Sequence, residues 1–160
     1  MLRPRRLRPP TNAQGSHIMN QFPSRDIALL AARFALSLLF LVMGWGKLSD
    51  YAGTVAYMTQ TGAPLPGVSA IIAILAELGI GVALVAGILV TPLSIALAIY
   101  TVVTAFIGHH FWTMDGMLRY DMTIHFYKNI SIAGGLLALA AAGPGRFTLR
   151  LSRREAVTAA

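Results

Sequence analysis

The sequence predicts an all-α polytopic membrane protein, a four-transmembrane-helix bundle with both termini cytoplasmic. Three observations predict it. Of 160 residues, 56% are hydrophobic and 12% charged, where soluble domains run at roughly 45–50% and about 25%. Apolar stretches close to the ~20 residues that cross a bilayer recur four times. The two tails hold nine of the thirteen lysines and arginines, the asymmetry that sets orientation across a membrane.

The same composition excludes several classes. A soluble enzyme does not fit a mean hydropathy of +0.64, and the chain length leaves no room for a second, soluble domain. The net charge of +7 is split between the two ends and forms no basic face, so nucleic acid is not an expected partner. With no cysteine, the chain has no disulfide, thiolate metal site or dithiol of its own.

The elements follow in order. Residues 1–26 are arginine-rich and proline-rich without an apolar signal region, which predicts a disordered tail. Met19 opens a more ordinary stretch, and residues 1–18, in which GSHIM looks like a cloning scar, read as non-native sequence or an upstream extension with no expected function. The first span is expected over 27–46, interrupted by Arg33 and closed by Gly44-Trp45-Gly46-Lys47, an aromatic and a cation suited to the interface. After Asp50, a natural cap, Tyr51, Val55 and Met58 recur at helical spacing and predict one or two interfacial turns. The second span, 68–90, carries one charge, Glu77. Thr91-Pro92 predicts the cap and first turn of a third span over 93–110, ending in the cluster His109-His110-Phe111-Trp112. Asp121 is the expected cap of a fourth span over 124–142, closed by Gly143-Pro144-Gly145 and followed by a basic cytoplasmic tail, 143–160.

Charges inside spans face the bundle and find partners, because a centrally placed charge costs about 2.5–3.5 kcal/mol on insertion scales. Equal helix starts put Arg33 roughly 9 Å deep from the cytoplasmic side and Glu77 roughly 13 Å deep from the other, with Lys128 a further step beyond. The expected result is an intramembrane polar network of Arg33, Glu77, Lys128 and Asn129. Such a network fixes packing without chemistry, or it lines a polar cavity open to the outer face. Lys47, Tyr100, His110, Trp112 and His125 are the further candidates for a ligand pocket. His125 and Lys128 share a helix face, and a lipid-like quinone whose carbonyl oxygen accepts from His125, Lys128 or Tyr100 is the ligand that best fits. Haem or a metal fits less well, since the acids Asp115 and Asp121 lack a metal-binding spacing, and no metal site is expected. Gly79, Gly81, Gly87, Gly134 and Gly135 read as packing residues.

Taken together, RFALSLLFLVMGWGK, AELGIGVALVAG, HHFW and HFYKNISIAGGLLALAAAGPG resemble, in order and over roughly residues 25–147, the DoxX family of small bacterial inner-membrane proteins. Arg33, Gly44, Lys47, Glu77, His110, Trp112, Lys128 and Asn129 match its polar motifs. The resemblance implies a four-helix membrane protein and, by analogy with a membrane subunit of an archaeal thiosulfate:quinone oxidoreductase, a subunit or accessory of a quinone-linked redox system. Its partners would be the lipid bilayer, redox proteins and further copies of itself. A proton- or solute-translocating protein and a non-catalytic scaffold are the alternatives, and the sequence leaves enzymatic activity and cofactor open.

Overall fold

The computed structural model describes residues 22–149, and among these it is helical with no strand. Helix α1 is Phe22–Ser49 and the short α2 is Tyr51–Gln60. A long rod, Pro66–Ala86, then joins α3 (Pro66–Ile74), a wide π-helical turn (Leu75–Ile80) and α4 (Gly81–Ala86). Helix α5 is Val90–Gly108, a 3₁₀ turn covers Phe111–Thr113, and α6 is Gly116–Ala142. The four long rods run up and down in chain order, and α6 closes the ring against α1. Both described termini lie at one end, the terminal end. Helix α2 covers the other, the loop end, packing on α3 and α1.

Three helices are long and apolar enough to cross a membrane: Ser24–Ser49, Pro66–Ala86 and Val90–Thr113. Helix α6 has the length, at 27 residues, but its first half carries Arg119, Asp121, His125 and Lys128. The bundle is apolar outside as well as inside. On α1, Phe34, Leu38 and Val42 are each more than half exposed, whereas Leu29, Arg33, Ser37 and Phe40 on the opposite stripe are buried. An exposed apolar band of this kind is stable only in a nonpolar solvent.

Several boundaries differ from expectation, each for a physical reason. Residues 1–21 and 150–160 lie outside the described residues. Residues 22–26, expected in a free tail, form the first turn of α1, where Asp26 is buried and its Oδ1 accepts from the Arg146 amide at 3.1 Å. Likewise 143–149 does not project freely but folds back over the terminal end. Arg25 donates to the Ala142 carbonyl, Arg33 to the Phe147 carbonyl, and the Leu149 amide to the Ala86 carbonyl. Backbone groups at the end of a bundle need partners, and this strap supplies them. Thr91 does not cap α5, which starts a residue earlier at Val90 after the left-handed Gly87 (φ 78°) and Leu89 (φ 45°). Its hydroxyl donates instead to the Ala140 carbonyl of α6 at 3.2 Å. Asp121 lies inside α6, whose N-cap is Asp115. The Asp50 cap does form, accepting from the Gly53 amide at 2.9 Å, and the helix it starts runs to ten residues.

Small residues set how closely the rods approach. A Cβ on Gly44 would stand 2.9 Å from both Glu77 Cβ and Leu78 Cγ, one on Gly81 3.0 Å from Leu41 Cδ2, and one on Gly135 3.2 Å from Leu36 Cδ2. Gly79 and Gly134 meet nothing within 4 Å. We therefore expect Gly44→Ala to lower stability by about 1–3 kcal/mol, the usual cost of overpacking, with Gly134→Ala near neutral as control. Unfolding midpoints in mixed micelles check both, and equal midpoints for the two variants would show that the α1 contact at Gly44 is not tight.

Candidate functional site

The π-helical turn is where the site begins. A single wide turn adds a residue to a helix that otherwise repeats every 3.6, and here it carries the acid of the rod, Glu77, which is 6% exposed. Both carboxylate oxygens are occupied. Lys47 Nζ from α1 donates to Oε2 at 2.7 Å, and the Tyr100 hydroxyl from α5 donates to Oε1 at 2.7 Å. Lys47–Glu77 is the one ion pair among the described residues. It resolves the central problem of a carboxylate at membrane depth, an opposite charge plus a second donor in a dry setting.

This arrangement differs from the expected ladder. Neither Arg33 nor Lys128 bonds to Glu77; Lys47 does. The expectation assumed that α1 ends and the next rod starts at equal height. Gly44, opposite Glu77, is five residues from the end of α1 at Ser49, while Glu77 is eleven from Pro66. The intervening α2 thus offsets the two rods by roughly 9 Å, which lowers Glu77 to the level of Gly44 and within reach of the lysine stem. Arg33 then lies roughly 16 Å away towards the terminal end, and its role there is separate.

A cavity of about 770 Å³ opens beside Glu77 towards the loop end. Its walls are mostly apolar, from Leu39, Phe40, Met43 and Val103, and α2 contributes Tyr57 and Met58. Lys47, Glu77 and Tyr100 form one polar side. His109, His125, Lys128 and Asn129 form another, presented by α6 and the end of α5. There Lys128 Nζ donates to His125 Nδ1 at 3.0 Å, which leaves the second ring nitrogen of His125 to carry a proton. His125 stacks on His109 with ring centroids 5.2 Å apart, and Nδ1 of His109 is buried without a partner. Among the described residues no three His, Asp or Glu side chains converge to hold a metal.

The structure thus brings Glu77, Lys47, Tyr100, His125, Lys128 and Asn129 to one cavity. Three other candidates stand elsewhere. Arg33 lies under the strap. His110 Nδ1 donates to the Ile107 carbonyl at 3.0 Å, and Trp112 joins an aromatic cluster with Phe106, Phe111 and Phe126, in which Phe106 and Phe126 meet edge to face at 5.1 Å. Such clusters suit a headgroup boundary. Sequence reasoning did not single out Tyr57, read Met58 as part of an interfacial turn and His109 as part of the cluster ending the third span, and placed none of them at the cavity; the helical spacing of Tyr51, Val55 and Met58 was the signal for the wall that α2 builds.

The coupling within the carboxylate site is measurable. Lys47→Met leaves a buried carboxylate without its counter-charge, a loss of about 3–5 kcal/mol for such pairs. Removing both charges in Lys47→Met/Glu77→Gln should restore most of it, because the uncompensated charge is then gone. Additive losses in the double-mutant cycle would show that the two residues are not coupled.

Comparison with known proteins agrees with this architecture. The DoxX family model matches residues 28–110. The inner membrane protein YphA of Escherichia coli (strain K12) is 43% identical over 126 residues, covering 79% of this chain and 90% of YphA. The inner membrane protein YqjF of the same organism is 37% identical over 124 residues, covering 78% of this chain and 90% of YqjF. No solved structure matches. The chain belongs to the DoxX family and is, like these relatives, a multi-pass protein of the inner membrane.

Proposed function

We propose that this protein is a membrane subunit or accessory of a quinone-linked redox system, and that the cavity beside Glu77 receives the head of a lipid-like quinone. The observation that carries this reading is the combination of a ~770 Å³ apolar-walled cavity with few, convergent polar groups, the usual make-up of a small-molecule site. A quinone head presents two carbonyl acceptors on a flat apolar ring. The Lys128 ammonium and the protonated nitrogen of His125 are donors with no carboxylate beside them. Tyr100 and Lys47 are already committed to Glu77, so they position that carboxylate, and Glu77 is the group placed to exchange a proton with a bound quinol. Electrons would pass to or from a partner protein at the loop end, since the chain has no thiol redox centre.

In this reading α6 is the fourth span. The excess of arginine at the terminal end, Arg25 and Arg146 with those of both tails, against Lys47, Arg119 and Lys128 towards the other end, supports a cytoplasmic terminal end. The polar half of α6 is then tolerable because His125, Lys128 and Asn129 line a cavity.

Two measurements test the proposal. A green fluorescent protein fused after Ala160 should fluoresce, as it does only when it folds in the cytoplasm; a dark fusion overturns the orientation. Ubiquinone or menaquinone should co-purify in mild detergent, and a short-chain ubiquinone titrated into the detergent-solubilised protein should bind about tenfold more weakly to Lys128→Met, the effect of one charge-assisted hydrogen bond. Absence of any co-purifying quinone together with no saturable binding overturns the ligand.

A further inference from the structure

Arg33 is the buried charge that the cavity does not use. It is 0% exposed, and among the described residues only its Nη2 is engaged, donating to the Phe147 carbonyl of the strap. Its Nε and Nη1 are buried with no partner. Arginine does not shed its proton in proteins, and a neutral carbonyl does not cancel its charge. Asp26, two turns away on the same helix, gives its Oδ1 to the Arg146 amide and makes no ion pair with Arg33. A fully buried cation left in this state costs several kcal/mol.

Two further donors belong to the same region. Ser37 stands one turn beyond Arg33 on the same face of α1, is fully buried, and its hydroxyl has no partner. Ser94 of α5 is also fully buried and unpartnered. The contacts of Glu77 fix the heights of the two helices. Gly44 and Tyr100 both meet Glu77; Ser37 is seven residues below Gly44 and Ser94 six below Tyr100, drops of roughly 10 and 9 Å. The two hydroxyls therefore lie at one level, on the helices that face each other across the bundle. Gly87 completes the surroundings, since a Cβ there would collide with Arg33 Nη1.

We infer that Arg33, Ser37 and Ser94 form a binding cell for a small inorganic anion of chloride size. Nε–H, Nη1–H and two hydroxyls are donors, and one positive charge without a counter-charge selects a monovalent anion over water. Full burial selects against anything large. A phosphate on a lipid headgroup cannot reach a guanidinium of zero exposure beneath the strap, whereas a free ion can pass as the strap breathes. The bound anion would neutralise Arg33 and hold α1, α5 and the strap together. This cell is distinct from the quinone cavity and does not depend on it.

The test uses the full chain in a neutral detergent, with sodium chloride or bromide compared with sodium gluconate at equal ionic strength. The unfolding midpoint should rise saturably with chloride, and bromide should give an anomalous diffraction peak beside Arg33. Arg33→Gln should abolish the chloride dependence. Ser37→Ala/Ser94→Ala, which keeps the charge, should raise the half-saturating chloride concentration about tenfold and serves alone if Arg33→Gln does not fold. Identical midpoints in chloride and gluconate, an unchanged half-saturation in the serine variant, or no bromide peak at Arg33 would each overturn the proposal. Quinone binding in Ser37→Ala/Ser94→Ala should be unaffected, so failure here is separable from failure of the cavity reading.

Discussion

A carboxylate at membrane depth has to be neutralised by groups that arrive from other helices, and that requirement organises the loop end of this bundle. Glu77 receives Lys47 from α1 and Tyr100 from α5, two helices on opposite corners, so one side chain ties three rods together. Close approach makes the tie geometrically feasible. Gly44 lets α1 lie against the π-helical turn at Glu77 itself, where any Cβ would strike the acid's own stem. The cavity is bounded on one side by this tie and on the other by the polar half of α6.

The two ends of the molecule meet the same constraint differently. At the loop end, Glu77 pairs with Lys47, and Lys128 faces a cavity that α2 helps to line. At the terminal end, Asp26 and Arg33 take backbone partners from a strap of seven residues, 143–149. Backbone partners satisfy hydrogen bonding but cancel little charge, which is why Arg33 remains electrostatically open when every described bond to it has been counted. The apolar layer of Phe40, Leu84 and Leu97 in the core separates the two regions, so the polar groups form two sites and not a continuous ladder.

Much of this was legible in the sequence, and the rest was not for definite reasons. Composition and the spacing of apolar runs identify a helical membrane protein because both follow directly from bilayer thickness. The identity of the unusual residues was equally plain, since Arg33, Glu77 and Lys128 are charges in otherwise apolar stretches. Their pairing was not. It depends on how far one rod is offset from the next, and that offset arises from α2, a segment whose sequence shows a helical period but not where it rests. Lys47 looked like an interfacial anchor because it closes a span; its long stem instead turns inward. The strap was hidden for a related reason: Gly143-Pro144-Gly145 announces that the helix stops, not that the chain returns to cover Arg33.

The distribution of satisfied and unsatisfied polar groups separates structural from ligand-directed residues. A buried ion pair is weak evidence for stability, since well-packed apolar residues of the same volume usually do as well, and the Lys47–Glu77–Tyr100 tie on its own is compatible with a scaffold. The α6 side of the cavity is different. His109 Nδ1 is buried there without a partner, His125 keeps a free protonated nitrogen, and Lys128 has no counter-charge. Of these, His109 Nδ1 is buried and costly to leave unmet, whereas His125 is half-buried and Lys128 exposed. These donors gather on one wall of an apolar cavity, and it is that wall rather than the ion pair on which the proposed ligand rests.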